Sequence, residues 1–270
     1  HGTEPQFRFS LSYYLINGFP LVKRTQTVCF RKMTKLTPSS LLLGTSKKFS
    51  LFAHVVEELG SSIVRGDIKP DDPFPSEAEL GARFKASRSV IREAVKSLAA
   101  KGLLESRTRY GIRVLPPLHW NLLDVSVLSW RFTSMPHELF FEELFEIRSM
   151  IEPRAAALAA ERATDREIEA IEEALQAMSG AVTEGDEAIE ADLAFHRAIL
   201  AAAHNPLLLQ MGNLIGIGLL TSYRISSEPY TAMLVTHAAI YEAIRNRDPA
   251  EAQKKMRSLL QDTRSFHVAS

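Results

Sequence analysis

A chain of 270 residues, 46% hydrophobic and 24% charged, is long enough for two separate cores and has the make-up of a soluble globular protein. Its single cysteine, Cys29, excludes an intrachain disulfide framework and fits a reducing cytoplasm, and without a run of about 18 apolar residues no membrane span is expected. The net charge of zero hides an asymmetry: residues 82–113 carry nine Lys/Arg against two acids, whereas residues 117–270 carry 13 against 22. A basic patch within one small unit is the footprint of phosphate contact, and the acidic remainder would not bind nucleic acid.

Residues 1–48 carry eight Lys/Arg, one acid and no periodicity. Leu11 to Leu21 is too short and too polar for a span, and no clean small-residue cleavage site follows it. His1-Gly2 reads as the remnant of an expression tag and Met33 as a native start; a basic DNA-binding arm is the alternative.

Residues 49–115 read as one domain. Leu51, Val55, Leu59 and Ile63 mark an opening helix that Gly66-Asp-Ile-Lys-Pro70 ends. Ser76-x-x-Glu79 is a capping box opening a second helix. Ser87 caps a third. Along that third helix Ile91, Val95 and Leu98 share a core face, while Arg88, Arg92 and Lys96 share another, a cationic rod that fits a DNA major groove. Two short helices with a three-residue turn between them read as helix-turn-helix. Gly102 closes the third helix, and Leu103 to Val114 reads as a hairpin with Gly111 near its bend, completing a winged helix-turn-helix.

Residues 116–135 read as a linker, stiffened within Leu115-Pro-Pro-Leu-His119, and a short bridging helix over Trp120–Arg131. Residues 136–267 show no strand pattern. Six helices are expected, over about 136–162, 165–182, 186–203, 206–226, 231–246 and 248–266, with Asp165 and Asp248 near helix starts and Pro206 and Pro249 in first turns. The fold class is mainly α: a winged helix followed by an antiparallel helical bundle.

Pro75-Ser-Glu-x-x-Leu80, Ser87-Arg88, Arg92-Glu-Ala94, Leu98 and Gly102-Leu103 resemble the winged helix of the GntR family of bacterial transcription regulators. Glu146-Ile-Arg148, Ile151-Glu152, Ala159-Ala160, Asp192-x-x-Phe195-His196, Asn205-Pro206, His237 and Ala243-Ile244 resemble the FCD ligand-binding domain of its FadR subfamily. Together these stretches span about four-fifths of the chain. The linker His119 to Trp130, the run Glu161-Arg-Ala-Thr164 and the turn His204-Asn-Pro206 are similar to the sugar-acid branch of that subfamily.

The resemblance and the spacing agree on a DNA site. Arg88 and Arg92 are the candidates for reading guanine O6 and N7, with Lys96 further along the same face. Ser76, Ser87 and Ser89, with backbone N–H groups at helix starts, are candidates for phosphate. Arg107, Arg109 and Gly111 belong to the wing. Ala78 stands where many relatives carry Arg, so a family operator is not assumed. The family implies a homodimer reading a palindromic double-stranded operator.

In the bundle, Asp192 and His196 are four apart and share a helix face; with His237 they match three ligands of the metal-binding members. The fourth position of that pattern, 22 residues on, is Leu259. Three readings stay open: a weakened Zn²⁺-like site completed by water or effector oxygens, direct hydrogen bonds to the hydroxyls of a sugar acid, or a satisfied buried pair with no ligand. Arg148 and Arg224 are candidates for an effector carboxylate, which a planar guanidinium grips in bidentate fashion. Arg148 could equally pair with Glu152 at i+4. Glycines 212–218 could leave room for a ligand or allow close helix packing, and His204 is assigned to bracing its turn.

The leading expectation is therefore a cytoplasmic, ligand-responsive transcription regulator and not an enzyme: a repressor released by a small carboxylate such as a sugar acid. Two alternatives remain at this point. One is a metal-dependent enzyme that activates water at Asp192, His196 and His237, for which no general base or nucleophile is in evidence. The other is a DNA-binding protein that has lost its effector.

Overall fold

The computed structural model describes residues 50–70, 72–107, 111–181, 186–225 and 230–268. Helix α1 (Leu51–Arg65) starts on Ser50, whose side chain accepts from the Ala53 N–H, and ends at Gly66, which takes a left-handed φ of 81° and donates to the Ser62 and Ile63 carbonyls. Helix α2 (Glu77–Phe84) opens with both halves of the Ser76/Glu79 capping box formed. Ser87 caps α3 (Arg88–Ala100). Strand β1 (Leu104–Arg107) pairs antiparallel with β2 (Gly111–Val114), Leu104 facing Val114 and Arg107 facing Gly111. Gly111 has a φ of 77°, a conformation a side chain disfavours. Residues 108–110, where the sequence puts the bend, lie outside the described residues, as does the basic stretch before residue 50.

The bridging helix starts later than the sequence implies. Pro117–His119 form one 3₁₀ turn, and α4 spans Val125–Ser134 rather than Trp120–Arg131. The cause is Asp124, whose carboxylate accepts from the Ser126 and Val127 N–H groups and fixes the helix start. The same carboxylate holds Lys101 at 2.7 Å, tying the end of α3 to the start of α4.

Beyond α4 the chain is helical: α5 (His137–Arg162), α6 (Asp165–Gly180), α7 (Asp186–Ala202), α8 (Pro206–Gln210), α9 (Gly212–Ile225), α10 (Tyr230–Arg245) and α11 (Pro249–Val268). The single helix expected over 206–226 is two. Asn205 caps α8 by accepting from Leu207 and Leu208, and the Met211 N–H turns back to the Leu208 carbonyl, closing that helix before Gly212 opens the next. At α6, Thr164 and Glu167 form a capping box that the sequence reading passed over in favour of Asp165.

Buried residues form two clusters. One joins Leu59, Leu80, Ile91, Leu98, Leu103 and Val114 of the winged helix. The other fills the bundle, with Phe140, Leu144, Phe195, Ile217, Tyr241 and Leu260 among its members. Helix α4 serves both: Val127 and Trp130 complete the first cluster, Leu128 and Phe132 the second. Gly60 makes the junction close. A Cβ there would stand 2.2 Å from the Trp130 ring, so only glycine lets α1 and α4 approach so nearly. Gly102, at φ 77°, repeats the device against the His119 carbonyl oxygen, 2.0 Å from where a Cβ would sit. Among the described residues no helix is long and apolar enough to cross a membrane.

Candidate DNA interface and buried polar site

Burial of Ile91, Ala94, Val95 and Leu98 turns the opposite side of α3 outward. Arg88, Ser89, Arg92 and Lys96 are all exposed there. Arg92 lies 3.5 Å from Glu77, and Lys96 lies 2.8 Å from Glu93. Exposed pairs of this kind contribute little in water, so the side chains can exchange a carboxylate for a phosphate or a base edge at small cost. Arg88 occupies the first turn beside the uncompensated N–H groups of the helix start, where an anion is favoured. Ser87 Oγ accepts from the Val90 N–H and lies 2.9 Å from Ser89 Oγ. Ser76 Oγ is engaged with Glu79, at 2.7 Å from its carboxylate, so its role in the fold is capping. In the wing, Arg113 is held by Glu105 across the hairpin at 2.6 Å. Arg109 and the side chains of Arg107 and Arg224 lie outside the described residues.

The bundle candidates meet. Asp192 and His196 point inward from α7, and His237 points inward from α10; all three are buried. Asp192 Oδ1 lies 3.0 Å from His237 Nε2 and 3.4 Å from His196 Nε2. One ligand atom from each residue falls within 4.8 Å of the others. His237 Nδ1 is 2.6 Å from the Met233 carbonyl oxygen, which can only accept, so Nδ1 carries a proton and Nε2 faces Asp192. His196 Nδ1 lies 2.7 Å from Glu152, so its Nε2 also turns toward Asp192. Asp192 Oδ1, His196 Nε2 and His237 Nε2 thus have only one another as near polar neighbours.

Arg148 resolves toward its pairing with Glu152, Nε to Oε1 at 2.5 Å, both side chains buried. The sequence foresaw that pair but missed that Glu152 faces His196 as well; the inward spacing of Leu144, Arg148 and Glu152 was its only signal. Arg148 Nη1 is buried without a hydrogen-bond partner. Its stem packs on Gly218 of α9, where a Cβ would stand 2.8 Å from Arg148 Cδ, so this glycine serves close packing. Burial opposes the Glu152 charge, but the Arg148 guanidinium and His196 outweigh it and hold the carboxyl at about 2. Burial likewise opposes the Asp192 charge, and the two histidines still keep that carboxyl far below the usual range. Against its own burial, His196 is pushed up to about 9 by Glu152 and Asp192. His204, at a left-handed φ of 51°, lies 2.9 Å from Glu167 and braces the turn before α8, as expected. Leu259 is packed in the bundle core.

The residues present fit a divalent ion. Three buried donors converge with both histidine protons turned outward, and a carboxylate–histidine support stands behind His196. Donors about 2.1 Å from zinc in a tetrahedral array stand about 3.4 Å from one another, close to the observed contacts.

Known proteins agree with this architecture. The family model described as bacterial regulatory proteins, gntR family, matches residues 51–114, and that of the FCD domain matches residues 143–262. The galactonate operon transcriptional repressor of Escherichia coli K12 is 35% identical over 206 residues, covering 74% of this chain and 89% of that protein. The uncharacterized HTH-type transcriptional regulator YieP of the same strain is 34% identical, covering 76% of this chain and 90% of that protein. The solved structure of Lar, which controls expression of the Listeria monocytogenes agr system, shares the fold: TM-score 0.57, 17% identity, 83% of this chain and 99% of that one. These relatives are regulators of transcription, which removes the reading of the bundle as an enzyme. The chain belongs to the GntR family, as a DNA-binding transcription regulator that carries an FCD domain.

Proposed function

We propose that the protein is a repressor that holds a palindromic operator as a dimer and releases it when a small carboxylate, of the sugar-acid class, enters the bundle. The observation that carries this reading is the polar site within the bundle core: Asp192, His196 and His237 turn one buried ligand atom each toward a common point, and Arg148 Nη1 is buried without a hydrogen-bond partner. Leaving a buried polar group such as Arg148 Nη1 dry and unpaired costs about 1–3 kcal/mol, and more when charged. A ligand that satisfies it, and binds where the three ligand atoms converge, gains differential free energy for the state in which it fits.

Charge favours an anion. Asp192, His196 and His237 would hold a divalent ion, with Arg148 and Glu152 beside them. With His196 then neutral, the two carboxylates leave one positive charge in excess, which a monocarboxylate cancels. The ion would act as a Lewis acid gripping carboxylate and hydroxyl oxygens, and Leu259, bringing no imidazole, leaves coordination positions open to them. Arg88 and Arg92 read the operator, Lys96 on the same face meets its phosphates, Ser87 and Ser89 with the start of α3 hold phosphate, and the wing residues Arg107, Arg109 and Gly111 track the adjoining backbone. Similarity to a repressor of a galactonate operon supports both the sign of regulation and the sugar-acid class.

Thermal unfolding of EDTA-treated protein against a panel of sugar acids, each with and without Zn²⁺, tests this directly. A sugar acid at 100 times its Kd should add about 2.7 kcal/mol of stability. The same compound should lower operator affinity. Stabilisation in zinc alone assigns the ion a structural part in the effector site, and no shift from any acid rejects the effector reading.

A further inference from the structure

Among the described residues three that are not glycine hold a left-handed backbone: Lys85 at a φ of 51°, His204 at 51° and Arg247 at 57°. A side chain disfavours that conformation, because its Cβ comes too close to the following carbonyl oxygen. A residue other than glycine therefore stays there when its side chain does something glycine cannot. For two of the three the task is visible. His204 lies 2.9 Å from Glu167, and Arg247 donates to the Ala163 carbonyl and to the Asp165 carboxylate.

Lys85 has no such anchor. It closes α2 as Gly66 closes α1: its N–H turns back to the Gly81 and Ala82 carbonyls, as that of Gly66 does to Ser62 and Ile63. The two caps share one geometry, and glycine holds the first without steric cost. At the second the lysine is exposed, and among the described residues its ammonium has neither an ion-pair nor a hydrogen-bond partner. Nor does the end of α2 call for this cation, since Arg83 already stands in its last turn.

Its place in the fold supplies the missing partner. Lys85 lies in the short turn between α2 and α3, two residues before the Ser87 cap and three before Arg88. Ser87, Arg88 and Ser89 are exposed together with it. An ammonium on a flexible four-carbon stem is a point charge, suited to a phosphate rather than to the paired acceptors of a base edge. We infer that Lys85 is a contact to the DNA backbone, kept at a position whose geometry favours glycine because its charge grips a phosphate beside α3. The contact positions the winged helix on any duplex and carries no sequence information. It requires DNA binding alone and does not depend on the effector reading.

Fluorescence anisotropy with a duplex of arbitrary sequence, about 30 base pairs long, tests the contact across a range of salt concentrations, because a phosphate grip needs no operator. Lys85→Gly and Lys85→Asn both remove the charge, and both residues accept a positive φ. Each should melt no lower than the wild type. Each should bind about 3- to 10-fold more weakly near about 0.1 M salt, with the slope of log K against log salt shallower by about 0.9 for every protomer bound. Lys85→Arg should keep the wild-type slope. Lys254→Gln removes one charge from the exposed side of α11 and should leave the slope unchanged. Wild-type slopes in both neutral variants, a slope that falls equally in Lys254→Gln, or one that falls in Lys85→Arg as in the neutral variants would each overturn the contact. Lower melting temperatures for both neutral variants would overturn it too, by assigning the lysine to the end of α2 instead.

Discussion

At the scale of single residues, Glu152 is the group whose removal separates a metal site from a packed polar core. It supports His196 through Nδ1 and is itself held by Arg148. Glu152→Gln keeps the volume and loses the charge; calorimetric titration should show Zn²⁺ affinity falling about 10- to 100-fold, as when other carboxylate supports behind a ligand histidine are removed. Protons give a second handle in the metal-free protein. The folded-state value of Glu152, about 2, lies below its ordinary 4.5, so its contribution is complete above about pH 4.5 and lost as pH falls toward 2. His196 is raised from 6.5 to about 9, so its contribution is complete below about pH 6.5 and lost as pH climbs through 9. Denaturant unfolding without metal should therefore show greatest stability near pH 4.5–6.5; unchanged stability from pH 6 to 9 would mean His196 is not paired as described. On the reader helix, Arg88→Ala should cost about 1–3 kcal/mol on a cognate operator and relax discrimination at one base, whereas Lys96→Ala should weaken all sequences alike. Fluorescence anisotropy on matched and mutated duplexes distinguishes the two.

Elements were legible wherever one local rule dominated. Ser76, Ser87 and Gly66 announced α1 to α3 because capping and left-handed glycine act over three or four residues. The start of α4 was misplaced because Trp120 to Leu123 have helical composition, while Asp124 supplies the cap four residues later. The break between α8 and α9 was missed for a related reason: Leu207 to Met211 continue an apolar helical pattern, and only the Asn205 cap and the closing turn at Met211 interrupt it. In the site, Asp192, His196 and His237 were legible from spacing and resemblance. The Glu152–His196 contact was not, since it joins residues 44 apart and depends on how α5 is rotated against α7. The packing of Gly60 on Trp130 is of the same non-local kind and makes a sharp test of α1 against α4. Gly60→Ala improves helix propensity by about 1 kcal/mol, yet must push the indole aside at a cost of about 1–3 kcal/mol or more. The melting temperature should fall; a rise would mean the two helices are not in contact.

Across the whole molecule, the two buried clusters meet in one ten-residue helix. Helix α4 also packs on α9, whose Gly218 lies against Arg148, so the polar site and the winged helix are linked by an unbroken line of contacts. A fragment of residues 50–115 lacks Val127 and Trp130 and should be less stable than one of residues 50–135 by about 3–5 kcal/mol, the cost of emptying a tryptophan's place in a core. Equal urea midpoints for the two fragments would contradict the shared helix. The Pro116-Pro117 bend looks like the natural place to part the winged helix from the bundle, but the joint that conserves packing falls after Ser134. A gene fusion that grafts this reader onto a foreign sensor, or an ancestral shuffling event that did so, keeps a complete reader when the crossover lies in the codons for Met135 and Pro136 and loses its keystone when it lies twenty codons earlier.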